Sequence, residues 1–125
     1  MDMYSIWFPQ GNDVVVQVHF GPEITDDTGL GAEFIYKDSR YTLDTDPSTL
    51  TYESDVYPDD SNPGAFMSQF TIPGSDNDVA GAFWYRVDVV NSALAQRRTV
   101  DGACGTLLVE AVLWRNQRKI GRAHV

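Results

Sequence analysis

Apolar and polar residues alternate with a period of two along most of this chain, the pattern of strands that bury one face in a core. In the segment from Phe83 to Val90, Phe83, Tyr85, Val87 and Val89 fall on one face and Trp84, Arg86 and Asp88 on the other. From Asp13 to Phe20, Val14, Val16, Val18 and Phe20 share a face, with Gln17 and His19 opposite. Shorter runs predict strands at Tyr4 to Phe8, Ala32 to Lys37, Leu50 to Glu53, Phe66 to Ile72 and Gly105 to Val112. Clusters of turn formers separate them: Pro9-Gln10-Gly11-Asn12-Asp13, Asp26-Asp27-Thr28-Gly29 and Pro58-Asp59-Asp60-Ser61-Asn62-Pro63-Gly64. The stretch 38–48 reads as a long polar connection, and Arg97-Arg98-Thr99 as a basic connector between the last two strands. Ser75 to Gly81 reads as one helical turn carrying the chain from one sheet to the other, with Ser75 as N-cap and Gly81 as its stop. About seven short strands without a long helix predict an all-β fold, an Ig-like antiparallel β-sandwich of two sheets packed face to face.

Composition narrows the picture. At 125 residues the chain is one domain's worth, and six Phe, six Tyr and three Trp favour pleated, half-buried strands. The formal net charge is −9, and Arg115, Arg118, Lys119 and Arg122 crowd the C-terminus, so residues 1–114 hold only five basic groups against eighteen acidic ones. Such a body repels a phosphate backbone, which argues against nucleic acid as a partner. Cys104 is the single cysteine, so no intrachain disulfide forms and the Cys-pinned immunoglobulin domain is excluded. Met1-Asp2-Met3-Tyr4 lacks a basic, then apolar, export signal, and no run reaches the roughly 18 apolar residues of a membrane span. Synthesis in a cytoplasm and no membrane partner are the corresponding expectations.

Candidate chemistry is sparse. Paired carboxylates at Asp26-Asp27, Asp44 with Asp46, Asp59-Asp60 and Asp76 with Asp78 all sit among turn formers, and none repeats a calcium-loop spacing. His19 reads as a surface histidine and Cys104 as a small residue packed in a turn, so neither nominates a nucleophile, a base or a zinc site. The sequence therefore predicts no catalytic residue, no cofactor and no metal. The outward-facing Trp84, Arg86, Trp7 and Ile35 are the candidate interface residues, because Trp and Arg on a solvent-side face either meet a partner or lie under a covering loop.

The division expected along the chain is a β-sandwich domain over residues 1–112, a C-terminal extension over 113–119, and a tail of different origin over 120–125. Ile120-Gly121-Arg122-Ala123-His124-Val125 matches the peptide read from a common sequencing adapter through to its stop codon. Arg122 and His124 accordingly receive no functional weight.

Several motifs carry a family resemblance. They are Thr28-Gly29-Leu30-Gly31-Ala32-Glu33-Phe34, Phe70-Thr71-Ile72-Pro73, Ala80-Gly81-Ala82-Phe83-Trp84-Tyr85-Arg86-Val87-Asp88, and Arg97-Arg98-Thr99-Val100 leading into Gly105-Thr106-Leu107-Leu108-Val109-Glu110. In their order from Asp13 to Val112 the chain resembles the LtfC-like proteins and related Ig-like tail or baseplate modules of tailed bacteriophages, particularly those of actinobacterial hosts. The resemblance implies a non-enzymatic virion protein, tail or head–tail associated, made in the host cytoplasm and assembled onto other virion proteins or further copies of itself. Every shared motif is structural, so none transfers a functional residue. Two rivals stand beside it: a carbohydrate-binding module using exposed aromatics such as Trp84 or Tyr57, and a bacterial surface adhesion domain.

Overall fold

The computed structural model describes residues 5–110 and 120–124. These residues are nearly all β and contain no α-helix. In chain order the strands are β1 (Ile6–Pro9), β2 (Asp13–His19), β3 (Leu30–Lys37), β4 (Leu50–Asp55), β5 (Tyr57–Pro58), β6 (Phe66–Ile72), β7 (Gly81–Asn91), β8 (Gln96–Glu110) and β9 (Ile120–His124). A five-stranded sheet has the order β1-β8-β7-β3-β4, and a four-stranded sheet the order β5-β6-β2-β9. At one side β4 passes beside β6, where the Ser68 hydroxyl donates to the Asp55 carbonyl at 2.7 Å, and the two sheets curl together into a half-barrel.

The core forms where the inward faces predicted from alternation meet. Val14, Val16 and Val18 of β2 and Phe70 and Ile72 of β6 face Phe8, Phe34, Tyr85, Val87, Leu107 and Val109 of the larger sheet, all essentially without solvent contact. Phe34 is the hub. Its ring lies 5.5 Å from that of Tyr85, stacked, and 5.8 Å from Phe70 across the core, with Tyr52 at 6.4 Å and Phe8 at 6.5 Å. Offset and tilted aromatic pairs of this kind contribute beyond their buried area.

Several expectations need correction. The sheets are mixed rather than purely antiparallel, because β1 runs parallel to β8 and β9 parallel to β2. Arg97-Arg98-Thr99 is not a connector but part of the long β8, paired with Asp88 to Val90 of β7. The true reversal is a single 3-10 turn at Ser92–Leu94, where the Asn91 side chain accepts from the Leu94 amide and Ala95 takes up the left-handed conformation at φ 51°. The predicted helical turn is a 3-10 segment at Gly74–Asn77 that does join β6 to β7, but Pro73, not Ser75, is its N-cap, and Gly81 opens β7. Tyr57–Pro58 adds a two-residue strand on β6. Ile120–His124 lies along β2 in register from Asp13↔Ile120 to Gln17↔His124, whereas the expected extension over 113–119 falls outside the described residues.

The close approach of the 3-10 segment to the β1–β2 turn depends on two glycines. Gly11 holds φ at 77° in that turn, and any Cβ on Gly74 would run into the Gly11 carbonyl. The Gly11 amide donates to the Asn77 carbonyl at 2.8 Å and the Gly74 amide to Asp13 Oδ1 at 2.7 Å, which fastens this end of the fold.

Candidate interaction surface

Alternation along β7 sends Tyr85, Val87 and Val89 into the core, so Trp84, Arg86 and Asp88 stand on the outer face of the five-stranded sheet. Register then sets their neighbours: Arg86 lies between Ile35 of β3 and Cys104 of β8, and Asp88 between Glu33 and Thr99. The Asp88 carboxylate is only 1% exposed. It accepts from Arg86 Nε at 3.1 and 3.2 Å, from Arg97 Nη1 at 2.9 Å and from the Thr99 hydroxyl at 2.8 Å. Arg97 Nη1 also reaches Glu33 Oε1 at 2.6 Å, so the Arg97 guanidinium of β8 bridges the two acidic register partners Asp88 of β7 and Glu33 of β3. A buried carboxylate held by two guanidinium groups and a hydroxyl meets the condition under which buried charge is tolerated. Of the basic residues that read as a connector, Arg97 is held in the strand by its outer-face partners Asp88 and Glu33, while Arg98 pairs with Val89.

The segment 38–49 folds over half of this face. Arg86 Nη1 donates to Asp44 Oδ1 at 2.9 Å and Arg86 Nη2 to Asp44 Oδ2, a fork-to-fork pair, while Lys37 Nζ donates to Asp44 Oδ1 at 2.8 Å and to the Thr42 carbonyl at 2.7 Å. The Arg86 guanidinium holds the Asp44 carboxyl well below the usual carboxylate range, with Lys37 adding to it, and the same pairing raises Arg86. Within the segment the Thr49 hydroxyl donates to the Leu43 carbonyl at 2.8 Å, and Asp46 Oδ1 receives both the Ser48 amide and hydroxyl. The loop is thus pinned at both ends and in the middle. The Arg40 guanidinium lies 5.4 Å from the ring centres of both Trp84 and Tyr41, a cation–π arrangement. Tyr41 and Leu43, 82% and 71% exposed, stand out from this fixed frame.

The other half of the face is open among the described residues. There Trp7 of β1 pairs with Leu108 of β8, and Leu108 with Ala82 of β7; one row along, Thr106 pairs with Trp84. Trp7 is 38% exposed, Leu108 and Trp84 half-buried, and Ala82 exposed. The four candidate residues from sequence therefore divide. Ile35, only 2% exposed, is buried beside its register partner Arg86, and Arg86 is tied to the loop and to Asp88, whereas Trp84 borders the open strip that contains Trp7. Sequence reasoning missed Leu108 and Ala82, although alternation from Leu107 and Phe83 places both outward, and it missed Arg40 and Tyr41, for which a polar loop gives no periodic signal.

Elsewhere the polar groups are engaged in holding turns. Asp26, Asp46 and Asp59 share one arrangement, an Asp-x-Ser/Thr turn in which Oδ1 receives the amide and hydroxyl two residues on. Each of the three carboxyls is lowered by those bonds, Asp59 also by His19, whose Nδ1 lies 2.8 Å from Asp59 Oδ2. Cys104 is buried within β8 rather than in a turn, and burial pushes its thiol up. Among the described residues no three His, Cys, Asp or Glu side chains gather as a metal site, and no helix is long and apolar enough to cross a membrane. A cleft of about 690 Å³ opens between the β2–β3 loop and the β7–β8 reversal, floored by Ile24, Leu30 and Val89 and rimmed by Glu23, Asn91 and Arg98. Among known proteins, no family model and no curated sequence matches this chain.

Proposed function

We propose that this chain is a non-enzymatic structural module of a tailed-bacteriophage virion, tail or head–tail associated, built on an Ig-like sandwich theme and working through protein–protein assembly. The observation that carries the reading is the outer face of the five-stranded sheet: a loop locked by Asp44, Arg86 and Lys37 beside an open strip bearing Trp7, Leu108 and Trp84. Rigid presentation of aromatic and Arg side chains lowers the entropy lost on association, which suits a surface that binds protein. The acidic body and the sequence resemblance to LtfC-like modules add support, with the chain folding in the host cytoplasm before assembly. Its partners on this reading are other virion proteins and further copies of itself.

The exposed Tyr41 beside the Arg40–Trp84 pair favours a second reading, recognition of host cell-wall carbohydrate by aromatic stacking. Long-read sequencing of the locus in its source DNA tests the virion reading. Terminase, capsid and tail genes alongside are the expected result; cell-wall or secretion genes alongside would overturn the virion reading and favour a surface adhesion domain. Binding of the purified chain to isolated cell-wall glycan, lost in Tyr41→Ala, would favour the carbohydrate reading.

A further inference from the structure

We infer that the open strip on the five-stranded sheet is a self-complementary interface through which two copies of this chain pair face to face. The inference deepens the assembly reading above and rests on it. At the centre of the strip, Leu108 is flanked by Trp7 on β1 and Ala82 on β7. These three side chains are uncharged in a chain of net charge −9. Along β8 the outward positions are Thr106, Leu108 and Glu110, since Leu107 and Val109 are buried. Glu110 is exposed at one end of this row. At the other end Arg40 lies against Trp84, the register partner of Thr106.

The strip thus has a cation at one end, an apolar centre and an anion at the other. From the level of Thr106 to that of Glu110 is about 13 Å at the usual rise per residue. A two-fold axis lying across the strands at the level of Leu108 reverses this order in the second copy. Leu108 then meets Leu108 of the partner subunit, Trp7 meets the partner's Trp7, and Arg40 of each copy comes opposite the partner's Glu110. An isologous contact of this kind is the commonest route to a dimer, and an uncharged aromatic centre with a charged rim is the usual anatomy of such an interface. The acidic Asp-x-Ser/Thr turns lie in the loops at Asp26, Asp46 and Asp59, outside the strip. The charge of the second copy therefore favours this face over the loops for self-contact.

Sedimentation equilibrium of the full chain from about 1 μM to about 1 mM tests the inference over the range in which modest interfaces dissociate. The expected result is a monomer–dimer equilibrium. Leu108→Asp, Arg40→Glu and Glu110→Arg should each raise the dissociation constant by about tenfold or more, whereas the double variant Arg40→Glu/Glu110→Arg should recover most of the loss by re-forming the pairs with signs exchanged. A monomer at every concentration, or a dimer that the charge-swapped pair fails to restore, would overturn the inference. A monomer whose gene lies among virion genes would sink this interface and leave the assembly reading intact; a charge-rescued dimer whose gene lies among secretion genes would do the opposite.

Discussion

Truncating Arg86 to alanine should cost this fold more than any other single loss on the outer face. The guanidinium is mostly buried and bridges two carboxylates, Asp88 beneath it and Asp44 above it. Removing one member of a buried ion pair costs about 3–5 kcal/mol, because the other charge stays in place without its partner. Asp88 keeps Arg97 Nη1 at 2.9 Å and the Thr99 hydroxyl at 2.8 Å, which sets the expected loss at the lower end, about 3 kcal/mol, or about 10 °C in Tm. Asp44→Asn removes only the half-exposed end of the same bridge and leaves an acceptor for Arg86 and Lys37, so its cost should stay near that of a surface pair, about 1 kcal/mol or less. Urea denaturation followed by tryptophan fluorescence reads both variants, with Trp84 reporting on the loop. A loss below about 1 kcal/mol for Arg86→Ala, or equal losses for the two variants, would refute the claim that Asp88 is a buried charge dependent on this guanidinium.

The Asp44 carboxyl titrates below its ordinary 3.8 in the folded chain, so its contribution is complete above that value and disappears as pH falls through the lower folded value; wild type should therefore lose stability more steeply than Asp44→Asn on acidification below about pH 4, read by thermal melts at stepped pH. Phe34→Ala empties the centre of the aromatic cluster, and chemical denaturation should show a loss of about 3–5 kcal/mol. Gly74→Ala places a Cβ against the Gly11 carbonyl and should disrupt the Gly11–Asn77 and Gly74–Asp13 hydrogen bonds, seen as faster amide exchange at Gly11 and Gly74 relative to β2, while Ala at the exposed Ser75 leaves exchange unchanged.

Much of this fold was legible in the sequence because a period of two is a strong local signal. Val14, Val16 and Val18, or Tyr85, Val87 and Val89, declare their inward faces without knowledge of what they pack against. Strand direction and order are set by distant partners, so the parallel β1–β8 and β2–β9 pairs carried no local mark. The start of β8 was hidden for another reason. Arg97 and Thr99 look like loop residues until Asp88 and Glu33 are seen to need them. Of the four candidate interface residues, Arg86 is tied down by a loop whose polar sequence gave no sign that it would fold back onto the sheet, and Ile35, its register partner, is buried. What that loop leaves open, Trp7 with Leu108 and Ala82, is readable from alternation only once the register across β1, β8 and β7 is known.

Mass spectrometry of density-purified virus-like particles from the source sample asks whether the chain is a virion component. Trypsin releases the segment Val87 to Arg97 as a single peptide within the β7–β8 hairpin, which makes it a specific reporter. From a virion protein this peptide should band with capsid and tail peptides and keep a fixed ratio to them across the gradient. Its recovery from cell-envelope fractions instead, with none in the particle band, would contradict the assignment to a virion.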